Sequence, residues 1–304
     1  MDRWLPEISV IVPSYNSRDK IERCLAALRD QQVDVGFEVI VVDSSDDATG
    51  EALENVAGIK LVRSPIRLYP GTARNRGAEV ASGRILCFTD ADCIPADNWL
   101  QRISDACANE ERVLVGGPIL NGTPESLVGT AEYFSEFGAL LAGANGCRID
   151  FFPTANAAIP ARYFRETGGF RDFEKGSDVA FGSDCRALGI QPVFSPKVRV
   201  SHGNRTDLRG FLRNQERLGR GAGNNRVLFD LPGSWLTRSR IALPLVPAAR
   251  FSRIIWRCMR DGAGQRAGLL MSTPLVLAGA VWFGIGFARG VRDAAATPPR
   301  SCSG

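Results

Sequence analysis

The sequence predicts an α/β fold built on a mostly parallel sheet covered by helices, followed by a basic and apolar C-terminal segment. Three observations lead there. Over the first 120 residues, short β-branched runs alternate with stretches of helical spacing. The runs are near-continuously apolar rather than alternating, the pattern of strands buried on both faces. Finally, 22 consecutive uncharged residues run from Ala267 to Ala288.

Taken in order, Ile8 to Val12 reads as a strand closed by Pro13, and Asp19 to Leu28 has apolar residues at helical spacing. Phe37 to Val42 is a second strand, Gly50 to Val56 a short helix, and Ile59 to Val62 a third strand. Thr72 to Ala81 follows as a helix stopped near Gly83, and Arg84 to Thr89 is a fourth strand. Ligands of such sheets bind beyond the carboxyl ends of the strands, where the loops gather. Polar residues sit at three of those ends: Pro13-Ser14-Tyr15-Asn16, Asp43-Ser44-Ser45-Asp46-Asp47 and Asp90-Ala91-Asp92. No G-x-G-x-x-G follows the first strand and no G-x-x-x-x-G-K-[ST] occurs anywhere, so the dinucleotide and P-loop readings lose their main support.

Composition narrows the class. With 304 residues, 44% hydrophobic and 23% charged, the chain fits neither wholesale disorder nor a polytopic membrane protein. Its net charge of +4 is unevenly spread. Residues 1–198 carry 20 basic and 28 acidic side chains, 199–235 seven and three, and 236–304 ten and two. A basic end beside apolar sequence points to an anionic membrane surface rather than to nucleic acid. As a helix, 267–288 would be roughly 33 Å long, enough for a hydrocarbon layer of roughly 30 Å. Arg250, Arg253, Arg257, Arg260 and Arg266 precede it in the manner of the positive-inside rule, although four glycines and Pro274 would also suit a buried core helix. Residues 241–260 read as an amphipathic interfacial segment. The expected division is therefore a domain over 1–235 and a membrane-directed segment over 236–304. Met1 to Asn16 offers only a short apolar run, so the bulk of the chain is expected at the cytoplasmic side of the cell membrane. The eight cysteines include no C-x-x-C pair and read as reduced.

Asp90 and Asp92 flank one small residue at a strand end and can present two carboxylates to a hard cation such as Mg²⁺ or Mn²⁺. Asp43 can accept hydrogen bonds from a ribose or base, or cap the helix after Ser45. Arg74 and Arg76 lie in Gly71-Thr72-Ala73-Arg74-Asn75-Arg76-Gly77, where a helix start and a guanidinium favour phosphate, or where both are simply solvated.

These strings, in this order, resemble an inverting family 2 glycosyltransferase of the GT-A fold. The resemblance runs from SVIVPSYN through VIVVDSSDDATGE, GTARNRGAEVASG and LCFTDADCIPADNWL to FPTANAAIPARYFRETGGF, KGSDVAFGSDCRALG and VSH, covering about residues 7–225. It implies a mostly parallel sheet flanked by helices and a nucleoside-diphosphate sugar as donor. Pro13, Tyr15 and Asp43 are then expected at the nucleobase and ribose, with Arg74 near the diphosphate. Asp90 and Asp92 become the D-x-D pair, Asp90 reaching the ribose and Asp92 on Mg²⁺ or Mn²⁺, and His202, the only histidine, stands where many relatives place a histidine near the metal or the diphosphate.

Asp178 occupies the general-base position, with Gly189 at the family's spacing, while the usual acidic neighbours are replaced by Ser177 and Ala180. Without like charges beside it, such a carboxylate is expected to stay ionised and able to accept a proton. Asn214 and Leu218 replace the Gln and Trp of a processive Gln-x-x-Arg-Trp motif. Arg217, Arg220 and the glycines of GRGAG are expected to form a mobile basic loop over the diphosphate, or a membrane-facing patch. The resemblance thus implies sugar transfer to an acceptor hydroxyl, with a lipid-linked acceptor suggested by location and no nucleic-acid partner. The alternatives are a catalytically degenerate sugar-nucleotide-binding scaffold and a nucleotidyltransferase.

Overall fold

The computed structural model describes residues 6–108, 112–138, 151–229, 231–238, 241–261 and 265–296. Cys147 and Cys302 lie outside them. The chain forms two compact units. One comprises 1–123, 140–173 and 177–204; the other comprises 124–139, 174–176 and 205–304.

The first unit opens with β1 (Ile8–Ser14), α1 (Arg18–Arg29), β2 (Phe37–Asp43), α2 (Thr49–Glu54), β3 (Ile59–Arg63), α3 (Pro70–Val80) and β4 (Ile85–Phe88). The expected alternation is present, with ends moved by one or two residues. β5 (Cys93–Pro95), α4 (Trp99–Ala108), β6 (Val113–Gly116) and β7 (Ile119–Asn121) follow. After α5 (Leu127–Phe137), which belongs to the other unit, come β8 (Ala157–Pro160), α6 (Ala161–Glu166), α7 (Ser177–Ala187), β9 (Gln191–Phe194) and β10 (Val200–His202).

Seven strands make one sheet in the order β3-β2-β1-β4-β8-β6-β9. All its pairings are parallel except those of β8, which runs against β4 and β6. The continuous apolar runs have the expected cause: Ile8, Val10, Ile11 and Val12 of β1, Ile40 to Val42 of β2 and Ile85 to Phe88 of β4 are all buried. Side chains this size contribute roughly 1.5–3 kcal/mol each on burial, which makes these strands the spine of the core. Phe88, Phe164, Phe170 and Phe181 pack ring against ring at 4.4–5.6 Å between centroids, fastening the segment after α6 to the sheet.

A second, three-stranded sheet has the order β5-β10-β7. β10 is antiparallel to β5, with His202 opposite Cys93, and parallel to β7, with His202 opposite Asn121. The strands are only three residues long, but they set the histidine beside the segment that follows Asp92.

The second unit consists of α5, α8 (Leu208–Leu228), α9 (Val246–Asp261) and α10 (Arg266–Ala296). It begins at Arg205 and takes in 124–139, so the division differs from the one expected at residue 235. The reason lies in α8. A Cβ at Gly219 or Gly223 would run into the carbonyls of Phe283 and Phe287, and one at Gly286 or Gly290 into those of Glu216 and Arg220. Glycines on both helices thus let two backbones touch, and α8 is bound to α10 along the 279–291 stretch. The expected mobile loop at GRGAG is instead the middle of this helix. α8 is capped by Asp207, whose carboxylate accepts from Gly210 N at 2.6 Å.

Buried polar groups tie α5 to this pair. Glu132 accepts from Arg205 Nη1 and from Asn214 Nδ2, both at 2.8 Å. Burial, reinforced by the neighbouring Glu136, pushes the Glu132 carboxyl up to about 7, against the opposing pull of Arg205. α10 is also the one described helix long and apolar enough to cross a membrane, with its most apolar window 39% buried.

Candidate active site

The carboxyl ends of β1, β2 and β4 lie side by side, and the polar loops after them interlock. Register places Ser14 opposite Asp43 and Asp43 opposite Arg63. Asp43 is fully buried. It accepts from Ser14 Oγ at 2.8 Å and Ser45 Oγ at 2.6 Å, and Arg63 Nε stands 3.4 Å from it. These partners hold a carboxylate in the interior and fix the loop after β2 against the loop after β1. Asp43 therefore acts first as the pin of the cradle.

Asn16 adopts φ of +49°, a left-handed conformation that asparagine tolerates. Its Nδ2 donates to Asp46 Oδ1 at 2.7 Å, and Tyr15 Oη donates to Asp46 Oδ2 at 3.1 Å. These bonds, that from Asn16 first, hold the Asp46 carboxyl below its ordinary value. Arg67 lies 4.4 Å over the Tyr15 ring, leaving a cation and an aromatic face at the rim. Pro13 is half-buried at the end of β1.

Arg74 of α3 is buried, its Nη2 pairs with Asp90, and its Nε has no hydrogen-bond partner. The pair with Asp90 holds this guanidinium in a fixed position beside the loop after β4. α3 is seated by its glycine and asparagine. A Cβ at Gly71 would stand 2.8 Å from Arg171 O and 3.1 Å from Ser177 Cβ, so only glycine lets α3 approach the start of α7. Asn75 donates to Phe170 O at 2.7 Å and accepts from Phe170 N at 2.8 Å. Asp178, in the first turn of α7, is thereby brought next to the start of α3 through its neighbour Ser177. Its Oδ1 accepts from Val179 N at 2.9 Å. Ser177 and Ala180, on either side of it, are both buried.

Asp92 and His202 form the third group. Asp92 Oδ1 stands 3.4 Å from His202 Nε2, and Lys20 Nζ lies 3.5 Å from the other carboxylate oxygen. His202 Nδ1 faces Asn204 Oδ1 at 3.0 Å, and Asn204 Nδ2 donates to Asn121 Oδ1 at 2.9 Å and Thr123 Oγ1 at 3.1 Å. Because the Asn204 amide nitrogen is spent on those acceptors, its oxygen receives the histidine Nδ1–H. That tautomer leaves a lone pair on Nε2 facing a carboxylate oxygen, an arrangement that fits a cation held between them. Cys93 Sγ is in the same cluster. Burial, then the carboxylates of Asp90 and Asp92, push its thiol well above the ordinary range, so it is a poor donor for a hard cation.

Residues 9–181, more than half of the chain, match the family model Glycosyl transferase family 2. The chain belongs to that family. This family 2 transferase is 29% identical over 229 residues to the glycosyltransferase AglE of Haloferax volcanii, covering 73% of the chain and 74% of AglE. Its fold is similar to that of the mannosyltransferase PcManGT from Pyrobaculum calidifontis in complex with GDP-Man and Mn²⁺, with a TM-score of 0.67 and 20% identity over 95% of this chain and 88% of that one. S. aureus TarS in complex with UDP-GlcNAc gives a TM-score of 0.54 and 15% identity over 95% and 91% of the two chains. The family 2 transferase accordingly has the GT-A-like α/β fold.

Of the ten residues singled out in the sequence, Pro13, Tyr15, Asp43, Arg74, Asp90, Asp92, Asp178 and His202 belong to the sheet unit. Arg217 and Arg220 lie on α8 of the helical unit, exposed, with Glu174 3.4 Å from Arg217 Nε and Asp293 2.6 Å from Arg220 Nε. Sequence reasoning missed Ser14, Lys20, Arg63, Arg67 and Asn204. Ser14 was within reach, because it lies inside PSYN; the others join through strand register and tertiary contact, which no local spacing encodes.

Proposed function

We propose that this glycosyltransferase moves a sugar from a nucleoside-diphosphate sugar to an acceptor hydroxyl with inversion at the anomeric carbon. The observation that carries the reading is the convergence of Asp43, the Arg74–Asp90 pair and the Asp92–His202 pair beyond the carboxyl ends of adjacent strands. Pro13, Tyr15 and Asp43 take the nucleobase and ribose end, and Arg74 takes the diphosphate. Asp92 and His202 would hold Mg²⁺ or Mn²⁺, with Asp90 on the ribose side. Such an ion supplies positive charge to the departing diphosphate. Mn²⁺ accompanies the donor in the PcManGT complex, and the two similar structures carry GDP-Man and UDP-GlcNAc, which leaves the base open.

Asp178 accepts the proton of the acceptor hydroxyl as its oxygen attacks the anomeric carbon, and the bond from that carbon to the diphosphate breaks with its electrons leaving on the phosphate oxygen. Attack from the opposite face inverts the centre. Asp178 is the acid left to this segment's first turn, since the flanking positions are buried and uncharged. A clamping role for Arg217 and Arg220 on the donor requires their ion pairs to Glu174 and Asp293 to open.

The basic, apolar C-terminal helices favour attachment at the cytoplasmic face of the cell membrane, and with it a lipid-linked acceptor and a part in cell-surface polysaccharide or glycolipid synthesis. The test uses purified full-length protein with a panel of nucleoside-diphosphate sugars and Mn²⁺, reading product anomers by NMR. An inverted product with wild type, and none with Asp178→Asn at unchanged nucleotide affinity, is expected. A retained anomer or undiminished turnover by the variant refutes the mechanism. Pyrophosphate release from a nucleoside triphosphate would identify a nucleotidyltransferase, and tight donor binding without turnover a scaffold.

A further inference from the structure

Nearly all exposed large apolar side chains belong to the helical unit: among the described residues only Ile66, Tyr69 and Leu188 lie elsewhere. On α10 they form one stripe at helical spacing, Leu270, Pro274, Leu277, Val281 and Ile285, widened by Met271 and Trp282. Leu270 is 76% exposed and Met271 64%. Arg266 precedes the stripe and Arg292 follows it, both exposed, while Arg289 turns to Glu216 of α8. The outward side of α9 adds Trp256 and Met259 between Arg253 and Arg260, with Arg260 4.4 Å over the Trp256 ring. Arginines interleaved with tryptophan and aliphatic side chains characterise helices that lie in a membrane interface.

The opposite face of α10 is closed by α8, which runs beside it in the same direction from Phe211 at Gly279 to Arg220 at Gly290. Along that stretch α8 exposes Arg213, Arg217 and Arg220, with Arg209 just before it. Were 267–288 to cross the bilayer, α8 would carry these guanidiniums into hydrocarbon, where charged side chains are costly. A helix clasped in this way presents one apolar side to lipid and keeps its charged partner in water.

We propose that the exposed face of α9 and α10 seats the chain on an anionic lipid surface, with α10 in the plane of the interface rather than across it. Leu270, Leu277, Val281 and Ile285 enter the acyl boundary, while Arg253, Arg260 and Arg266 meet headgroup phosphates. A second copy of the chain is the poorer occupant, because residues 236–304 carry ten basic and two acidic side chains and two such faces repel.

The inference rests on the membrane attachment proposed above and refines it, so the experiment separates the two. Full-length protein with cleavable tags at both termini is mixed with sealed phosphatidylcholine vesicles, with and without phosphatidylglycerol. Sedimentation with anionic vesicles only, release by alkaline carbonate, and cleavage of both tags from outside are expected. Leu270→Glu/Leu277→Glu should weaken vesicle binding about 10-fold or more, as withdrawing two leucines from the acyl boundary implies, with far-UV circular dichroism and turnover in detergent unchanged. Carbonate-resistant protein with only one tag cleaved overturns the in-plane seat and leaves attachment standing. Equal binding to neutral vesicles overturns the role of the arginines. Absence of binding to both, or dimerisation in its place, overturns attachment as well, and turnover in detergent tests catalysis independently.

Discussion

The clamp between Asn75 and the loop after α6 can be removed with one substitution and a calculable cost. In Asn75→Ala both bonds to Phe170 vanish, the donation to its carbonyl at 2.7 Å and the acceptance from its N–H at 2.8 Å. Phe170 is 4% exposed, so water reaches the freed groups poorly. Two net hydrogen bonds are worth about 1 kcal/mol each, and a buried unpaired amide adds about 1–2 kcal/mol, giving a loss of roughly 3–4 kcal/mol. For a unit of this size each kcal/mol moves the melting midpoint by about 2–4 °C, so a fall of roughly 6–16 °C is expected. Asn75→Asp should fall between the two, because it keeps an acceptor for Phe170 N–H but sets a second oxygen against Phe170 O. The assay is thermal unfolding followed by near-UV circular dichroism, which reports on the ring cluster of Phe88, Phe164, Phe170 and Phe181. A midpoint within about 1 °C of wild type for Asn75→Ala would show that the loop is held by its aromatic packing alone, and the positioning argument for Asp178 through α3 would fall with it.

Three further outcomes are expected. Asn204→Leu removes the partner that fixes His202 and should weaken Mn²⁺ binding roughly 10- to 100-fold in a calorimetric titration; an unaltered isotherm would separate His202 from the cation. Gly286→Ala forces α8 away from α10 and should destabilise the helical unit by about 1–3 kcal/mol, whereas Gly268→Ala, whose Cβ would meet only Thr130 Cγ2 at 3.5 Å, should be neutral or stabilising; equal melting of the two variants contradicts the close-packing account. The Glu132 carboxyl is raised from 4.5 to about 7 in the fold, so its contribution is complete below the lower value and is lost as pH rises through the upper one. Wild type should therefore lose up to roughly 3 kcal/mol between about pH 4.5 and pH 7 relative to Glu132→Gln, and parallel stability curves for the two would rule this out.

What the sequence disclosed follows from which forces are local. Strands β1, β2 and β4 were legible because burial on both faces demands apolar residues at every position, and the acids at their ends were legible because loops tolerate what strands do not. The partners of those acids were not. Asp43 finds Ser14 and Arg63 only once three strands take one register, and His202 finds Asn204, Asn121 and Thr123 only once three short strands pair. Three-residue strands carry too little pattern to announce themselves, so the histidine could be placed by resemblance alone.

The helical unit was misread for a different reason. Glycine has no side chain to declare its use: the same residue permits a loop and permits two helices to touch. In GRGAG the second use prevails, because Gly219 and Gly223 meet the backbone of Phe283 and Phe287, far away along the chain. Hydropathy likewise does not separate the uses of a residue. It sums all sides of a helix, and over 267–288 it adds the face pressed on α8 to the face left open. Splitting that sum assigns Val276, Phe283 and Phe287 to the protein interior and Leu270, Leu277 and Ile285 to the outside. The apolar surface available to lipid is then one stripe, not a cylinder. In the in-plane seat proposed above, such a stripe lowers its free energy by lying at the interface, whereas crossing the bilayer would bring the arginines of α8 with it.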